Sequence, residues 1–520
     1  MSICLSLVRP RAVLIAALLA VGLGASPAAS DAVPTYPATP FVPAQSARAF
    51  GDSIGVNVRL SFIDTSYGDY DTIYARLHEL GVRYVGDGLC DSCDYQVRAL
   101  RHLAGMGIHA NLGVGELNGG GASIDADLRT IKRDLMGSVV SITSVNEPDI
   151  SGDANWINDT RAFQQTLWAK VKSDPAVAHL PVIGPSLVNR GSRPALGDLS
   201  PYLDRGNIHP YPGGTPPLSW YLADERQLAS HVSGSKPLVA TEIGYHTDLS
   251  FTGGNHPVTE SVAAEYMPRI ALEGFSGGIE RTYIYTLADL WSPAEAAARG
   301  FPPSENSFGL LRWDLSPKPS FDSLRNLLRA VDADSAPVAN PAGMRLGLEG
   351  AGPDVRSMLL RSADGTYALA LWRTVSIWDW TLLKDLFPSS DQVDVVFGQP
   401  VSLAQRFDPV ASSGETGRWA NPRRIGVELG GAPVVLRLTP PGAAGGSAGK
   451  GLRTPNRAAA RCGHALGRAS SAPRKRRARA SCCAKASRAK RANKHKRRHR
   501  AHRRARASWS PACVSPRRRR

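Results

Sequence analysis

Eight short β-rich runs alternate with amphipathic segments between residues 54 and 332, and this alternation constrains the fold more than any other feature of the chain. The spacing predicts a helix over residues 70–80, where Ile73, Leu77 and Leu80 recur at helical spacing and Gly81 follows as a stop signal. Eight strand–helix repeats predict a (β/α)8 TIM barrel. A doubly wound open sheet is the alternative, but no glycine-rich phosphate-binding fingerprint follows the first strand. The predicted barrel covers residues 51–335, with strands at residues 55–60, 82–85, 108–112, 139–146, 182–185, 207–211, 238–242 and 282–286.

Beyond residue 340 the pattern changes to short strands separated by Gly, Pro and Asp turns. Helical periodicity returns only at residues 378–386, where a short helix is considered. Several short strands predict a small all-β sandwich at residues 340–440, packed beside the barrel. Its predicted strands are residues 355–361, 366–372, 393–397, 401–407, 425–429 and 434–438.

The N-terminus has the pattern of a secretory signal peptide at residues 1–30. Arg9 and Arg11 precede an apolar run, and the small residues Ala28-Ala29-Ser30 follow it. We therefore predict a secreted, extracellular protein, in which residues 31–50 form a short segment before the barrel. No later stretch is long and apolar enough to cross a bilayer.

Only two of the seven cysteines, Cys90 and Cys93, lie outside the signal peptide and the C-terminal tail. In a secreted chain a CxxC pair predicts a local disulfide. Half of a zinc site is the alternative, but the sequence offers no second pair of ligands at matching spacing. We therefore predict no metal.

The formal net charge of +17 comes from the tail at residues 441–520. This tail holds 26 Lys and Arg and no Asp or Glu, which leaves 36 basic and 45 acidic residues in the first 440. Its Arg, Ala, Ser and Lys composition cannot bury a core, so we predict that the tail is disordered. Two origins are open: a real tail that contacts an anionic surface polymer or nucleic acid, or the product of a shifted reading frame.

Two glutamates end predicted barrel strands. Glu147 follows the fourth strand and Glu242 ends the seventh. The carboxyl ends of barrel strands meet at the active-site face, so the two carboxylates are predicted to lie together there. Hydrolysis of a glycosidic bond requires such a pair. The alternative is that both acids cap helices or form salt bridges.

The motifs Asn146-Glu147-Pro148 and Thr241-Glu242-Ile243-Gly244 resemble those of glycoside hydrolase clan A, whose members include families 5 and 39. The motifs are short, and the resemblance covers residues 51–332 as a barrel. It implies a retaining mechanism in which Glu147 is the acid/base, Glu242 is the nucleophile and Asn146 binds the sugar 2-hydroxyl. It also implies a polysaccharide or oligosaccharide substrate and no cofactor.

Five further residues are candidates for substrate binding or for positioning the pair. His209 and Tyr211 are predicted on one side of strand 6, because side chains alternate along a strand; a buried structural histidine is the alternative for His209. Tyr211 is the candidate to orient the nucleophile. Tyr285 and Trp291, in or after strand 8, offer aromatic faces for a sugar ring, with packing in the barrel as the alternative for Tyr285. Clan members often place an arginine near strand 1 or 2, and Arg59 is the candidate for that position.

The sequence therefore predicts a secreted retaining glycosidase. The alternative is a catalytically silent carbohydrate-binding barrel attached to the cell surface.

Overall fold

The structure, a computed structural model, describes residues 36–218, 221–251 and 253–443. The predicted signal peptide, and the predicted tail beyond residue 443, lie outside the described residues. The described chain begins with two short strands, β1 (Phe41–Val42) and β2 (Gln45–Ser46).

Eight parallel strands form a closed barrel, as the alternating pattern predicts. They are β3 (Ile54–Asn57), β4 (Tyr84–Gly88), β5 (His109–Gly113), β6 (Val139–Thr143), β7 (Val182–Ile183), β8 (Gly206–Ile208), β9 (Leu238–Ile243) and β10 (Arg281–Ile284). The hydrogen-bonded order is β7-β6-β5-β4-β3-β10-β9-β8. A parallel bridge between Ile183 and Arg205 joins the two ends of this order and closes the barrel.

Helices surround the barrel. None of those in the described parts of the chain is long and apolar enough to span a membrane. They are α1 (Ala47–Asp52), α2 (Tyr70–Leu80), α3 (Asp94–Gly105), α4 (Gly120–Thr130), α5 (Trp156–Ser173), α6 (Ser192–Leu196), α7 (Leu222–Ser233), α8 (Glu260–Ser276), α9 (Pro293–Ala298) and α10 (Pro319–Ala330).

Helix α2 shows how local sequence sets these elements. The side chain of Asp69 caps its N-terminus by accepting the Thr72 N–H at 3.2 Å. Ile73 and Leu77 are fully buried against the barrel. Gly81 ends the helix at φ 84°, a left-handed conformation that glycine adopts at little cost. The predicted bounds of this helix are confirmed.

The C-terminal part forms an all-β sandwich, as predicted. Its strands are β11 (Met344–Glu349), β12 (Val355–Arg361), β13 (Tyr367–Arg373), β14 (Trp378–Asp379), β15 (Lys384–Asp385), β16 (Asp391–Phe397), β17 (Leu403–Phe407), β18 (Glu415–Ala420), β19 (Arg424–Leu429) and β20 (Val434–Thr439). One sheet has the order β1-β11-β16-β19 and the other β18-β17-β20-β13-β12-β2. The two N-terminal strands are therefore part of the sandwich, and the chain passes from there into the barrel.

The helix considered for residues 378–386 is wrong, because β14 and β15 form a two-stranded hairpin there. The side chain of Asp379 accepts the backbone N–H groups of Thr381, at 3.0 Å, and Leu382, at 3.1 Å, which fixes a turn. Leu382 is exposed, so the apolar residues of this segment do not form the buried stripe of an amphipathic helix.

Candidate active site

Glu147 lies four residues after β6, at the carboxyl end of the barrel. Its backbone has φ 45° and ψ 49°, a left-handed conformation that costs a non-glycine residue about 1–2 kcal/mol. Ser186 supports this conformation, because its hydroxyl accepts the Glu147 N–H at 3.1 Å. The same hydroxyl donates to Asn146 Oδ1 at 3.2 Å. Asn146 would therefore meet a ligand with its amide N–H groups.

Glu242 is the second-last residue of β9, and its side chain is buried. Its Oε2 accepts a hydrogen bond of 2.8 Å from the Tyr211 hydroxyl. A carboxylate oxygen of Glu242, one of Glu147 and a ring nitrogen of His209 all lie within 4.8 Å of one another. The fold therefore brings together the two glutamates that the sequence singles out.

His209 and Tyr211 both reach this pair, although the predicted strand 207–211 is too long. Strand β8 ends at Ile208. Pro210 has no N–H to donate to a neighbouring strand, and the Tyr211 N–H donates instead to the His209 carbonyl at 3.0 Å. The two side chains face the site from a tight turn rather than by strand alternation.

A hydrogen-bond network fixes the tautomer of His209. Asn207 donates from Nδ2 to the Gly184 carbonyl at 3.2 Å, so its Oδ1 is the atom that accepts the Thr241 hydroxyl proton at 2.7 Å. The Thr241 oxygen can then only accept from His209 Nε2, which lies 2.8 Å away. In neutral His209 the proton is therefore on Nε2, and Nδ1 carries a lone pair.

His209 Nδ1 lies 2.7 Å from Glu147 Oε1. Because Nδ1 has no proton in the neutral ring, this contact requires one proton shared between the imidazole and the carboxyl group.

His209, Glu147 and Glu242 also have the composition of a metal-binding triad. Two ligands of one tetrahedral zinc ion, each about 2.0–2.1 Å from the metal, would be roughly 3.3 Å apart. The shorter separation fits a shared proton better than two metal ligands.

The charges of the site shift the pKa values of its buried groups. Burial alone would lower the pKa of His209, but the carboxylates of Glu242 and Glu147 outweigh it and raise that pKa. Burial raises the pKa of Glu242, while His209, the Tyr211 hydroxyl and Arg59 oppose the rise. His209 is thus favoured as the positive partner between two carboxylates.

Arg59, the candidate for the clan arginine, makes its hydrogen bond to Tyr285. Its guanidinium donates a hydrogen bond to the Tyr285 hydroxyl and lies 5.3 Å from the centre of that ring. Tyr285 in turn donates to Glu305 Oε2 at 3.5 Å. Arg59 therefore acts on Glu242 through its positive charge, which opposes the rise in the Glu242 pKa. Its hydrogen bond goes to Tyr285.

A cavity of about 60 Å³ opens beside Glu242. It is lined by Arg59, Asn146, Tyr285 and Asp87, among others, so three of the predicted site residues border it together with the nucleophile candidate. The polar groups of Arg59, Asn146 and Asp87 within this lining suit a ligand with hydroxyl groups.

The predicted disulfide lies at the edge of this cavity. Cys90 and Cys93 are bonded to each other in the loop after β4, which confirms the prediction. Cys90 is one of the residues that line the cavity.

Trp291 is placed differently from the other candidates. Its ring packs edge-on against Phe301, with centroids 4.9 Å apart, and its Nε1 donates to the Asp64 carbonyl at 3.3 Å. It is not among the residues that line the cavity in the described part of the chain. A stacking role for Trp291 would need a ligand that extends beyond this cavity.

Comparison with known proteins gives matches only at the level of structure. The chain matches no protein-family model and no curated protein sequence. Among similar solved structures is a family 39 glycoside hydrolase from the gut symbiont Bacteroides cellulosilyticus WH2. It has a TM-score of 0.52 and 15% identity, over 76% of this chain and 83% of that one.

Two further structures give the same result. The family 39 enzyme from Xanthomonas axonopodis pv. citri has a TM-score of 0.52 and 14% identity, over 76% of this chain and 96% of that one. A monomeric β-xylosidase from Caulobacter crescentus CB15 has a TM-score of 0.51 and 14% identity, over 77% and 98%.

The fold is that of the family 39 glycoside hydrolases. At this level of identity the likeness concerns the fold, and the chemistry must be argued from the site.

Sequence reasoning missed several residues of the site. Thr241 and Asn207 act across neighbouring strands, and no local pattern marks such contacts. Glu305 begins a short 3-10 helix that follows α9, far along the chain from Arg59. Asp87 did carry a signal, because it is an acidic residue at the carboxyl end of strand β4, the kind of position that singles out Glu242.

Proposed function

We propose that this protein is a secreted retaining glycoside hydrolase that cleaves the O-glycosidic bonds of a polysaccharide or oligosaccharide. The observation that carries the proposal is the pair Glu147 and Glu242 at the barrel mouth, with carboxylate oxygens within 4.8 Å of each other. Retaining glycosidases have carboxyl groups about 5–5.5 Å apart, whereas inverting enzymes need about 6.5–9.5 Å to admit a water molecule.

In the first step Glu242 attacks the anomeric carbon while Glu147 protonates the glycosidic oxygen. The bond between that carbon and that oxygen breaks, the leaving sugar departs as an alcohol, and an ester forms between Glu242 and the remaining sugar. Tyr211 and Arg59 favour the ionised form of Glu242 that this attack requires.

In the second step Glu147, now a carboxylate, removes a proton from water. The resulting hydroxide attacks the anomeric carbon, and the ester bond to Glu242 breaks. Two displacements at the same carbon return the sugar with its original configuration. Asn146 offers amide N–H groups for the 2-hydroxyl, where hydrogen bonds strengthen in the transition state.

His209 has a specific part in this cycle. Because its Nε2–H is held by Thr241, its Nδ1 can only share the proton of Glu147. The shared proton is available to Glu147 when the glycosidic oxygen gains electron density, and it can return to the pair when water is deprotonated. His209 thus helps Glu147 to act first as acid and then as base.

The neighbours of known structure support the substrate class. One of them is described as a β-xylosidase. A β-linked neutral sugar is therefore the first substrate to test.

Secretion is supported by the N-terminal residues and by the Cys90–Cys93 bond. Disulfides persist in oxidising compartments. The basic residues beyond 443 would hold the enzyme near an anionic surface.

The test is sugar release from polysaccharides and from aryl β-glycosides, with Glu242→Gln as the matched variant. We expect the protein to release sugar and the variant to lose at least a thousandfold of that activity, because an amide cannot act as the nucleophile. Binding of a glycan by the folded protein with no release would instead favour the silent binding barrel.

A further inference from the structure

Asp87 is a carboxylate in the catalytic cavity that the proposed mechanism does not use. It lies near the end of β4 and lines the same cavity as Glu242 and Arg59. A buried carboxylate is costly unless something compensates for it, so its presence beside the nucleophile calls for a ligand or a structural partner.

The protein holds Asp87 firmly but does not use all of its hydrogen-bonding capacity. Its Oδ2 accepts from the Leu60 N–H at 3.1 Å and from Gln96 Nε2 at 2.9 Å. The Gly88 N–H is a third donor. A carboxylate has about four acceptor sites, so at least one remains for a group in the cavity.

Gln96 is itself fixed, so Asp87 cannot easily turn away. Its side chain is fully buried, donates to the Gly88 carbonyl at 2.7 Å and accepts the Cys90 N–H at 2.8 Å. Such a support is what a precise binding group requires.

The side of the cavity next to Asp87 has room for a ligand. Gly86, Gly88 and Gly113 line it at the ends of β4 and β5. A Cβ atom added at Gly113 would find no other atom closer than 3.9 Å, the distance to the Asp87 carbonyl oxygen and to Gly88. The space beside Gly113 is therefore open, whereas beside Gly86 the Asn57 side chain fills it, because its Oδ1 would clash with an added Cβ.

The charges of the cavity select the ligand. Among its described lining residues, Asp87 and Glu242 are acidic and Arg59 is basic, and Arg59 already donates to Tyr285. Burial raises the pKa of Asp87 to about 7, so above that pH it is an anion that accepts hydrogen bonds from sugar hydroxyls and repels the carboxylate of a uronic acid.

We propose that Asp87 accepts hydrogen bonds from one or two hydroxyls of the sugar held at Glu242, so that the cavity selects neutral sugars over uronic acids. The proposal rests on the proposed function. Asn146 is placed for the 2-hydroxyl, so the partner of Asp87 is a hydroxyl at another position of the ring.

The test combines Asp87→Asn with a set of substrates that each lack one hydroxyl. The parent substrate is the aryl β-xyloside or β-glucoside that the wild type hydrolyses, compared with its 3-, 4- and 6-deoxy analogues where these exist. The asparagine oxygen can keep the bonds to Leu60 and Gln96, while its NH2 group faces the cavity as a donor. We expect kcat/KM to fall about 10- to 100-fold, the range for hydrogen bonds to charged groups.

The decisive readout is non-additivity. Removal of the contacted hydroxyl from the substrate should lower the kcat/KM of the wild type about 10- to 100-fold. It should lower the kcat/KM of Asp87→Asn less than about threefold, because this variant already lacks the carboxylate that binds the hydroxyl. The matched control is Asp127→Asn. Asp127 is another buried aspartate, which accepts the Gly115 N–H at 2.7 Å and is not among the described residues that line the cavity. In Asp127→Asn, removal of the substrate hydroxyl should lower kcat/KM by the same factor as in the wild type.

A second variant serves if Asp87→Asn does not fold. Gly113→Val would place methyl groups in the open space and should lower kcat/KM more than tenfold without lowering the melting temperature. Unchanged kcat/KM would overturn the proposal, as would equal turnover of the aryl glucuronide and the aryl glucoside.

The outcomes separate the two proposals. If the wild type is active but the deoxy substrate and Asp87→Asn each lower kcat/KM independently of the other, the role of Asp87 is overturned and the proposed function stands. A wild type that hydrolyses no glycoside would overturn the proposed function and this inference together.

Discussion

The Thr241 hydroxyl fixes the protonation pattern of the acid/base pair, and Thr241→Val tests this directly. Valine has nearly the same shape but cannot accept the His209 Nε2–H, which lies 2.8 Å from the Thr241 oxygen. Neutral His209 would then favour a proton on Nδ1, donated to an ionised Glu147 2.7 Å away. Glu147 would then be held as a carboxylate and would less often carry the proton that the glycosidic oxygen needs.

The size of the effect follows from the bond that changes. A hydrogen bond to a charged group is worth about 1.5–3 kcal/mol, which corresponds to roughly 10- to 150-fold in rate. We expect kcat/KM at pH 7 to fall by that factor and the pH optimum to move to lower pH. Thr241→Ser keeps the hydroxyl and should stay within about threefold of the wild type.

The assay is kcat/KM from pH 4 to pH 9 on an aryl β-glycoside. ¹⁵N chemical shifts of the His209 ring report the tautomer without reference to activity. Overlapping pH profiles for Thr241→Val and Thr241→Ser would refute the reasoning. So would a neutral wild-type His209 with its proton on Nδ1.

Three further predictions follow from the same structure. Tyr211→Phe removes a bond that lowers the pKa of Glu242, so the acid limb of the kcat/KM profile should move to higher pH and kcat should fall about 10- to 100-fold; an unmoved acid limb would contradict this. Glu147→Ala should lower kcat/KM about 10²- to 10⁴-fold for substrates with poor leaving groups and far less for a dinitrophenyl glycoside, with azide restoring turnover of the latter. Burial raises the pKa of Asp127 to about 7, so between about pH 4 and pH 7 the unfolded chain gives up a proton that the folded protein keeps, and stability falls as pH rises, by up to roughly 4 kcal/mol. Asp127→Asn should therefore unfold at higher urea concentration than the wild type at pH 8 and at nearly the same concentration at pH 4; equal midpoints at both would contradict it.

The barrel could be predicted because its signal is local. Each strand and helix carries its own periodicity, and helix α2 has the predicted bounds. The predicted strand ends were less accurate next to the candidate catalytic residues. The fourth strand was predicted to residue 146 but ends at Thr143, and Glu147 follows in a left-handed conformation that no propensity favours.

The sandwich shows where local patterns fail. Strand β18 was missed because it is an edge strand of largely exposed residues, with sequence ETGRWA, and so lacks the alternation of a half-buried strand. Strands β1 and β2 have two residues each, and only their partners far along the chain define them. Contacts of this kind depend on the folded topology and leave no trace in a sequence window.

The site divides in the same way. Glu147 and Glu242 were predictable because chemistry and strand position mark them together. The Thr241–Asn207–His209 network was not, because its meaning lies in which atom donates and which accepts across three chain segments.

The central claim is that Glu242 forms a covalent bond to the sugar, and trapping that bond tests it most directly. A 2-deoxy-2-fluoro aryl β-glycoside of the sugar that the protein releases slows the second step more than the first, so the intermediate accumulates. We predict that intact mass will increase by one fluorosugar and that peptide mapping will place it on Glu242. An active enzyme that gains no sugar, or gains it on another residue, would contradict the account.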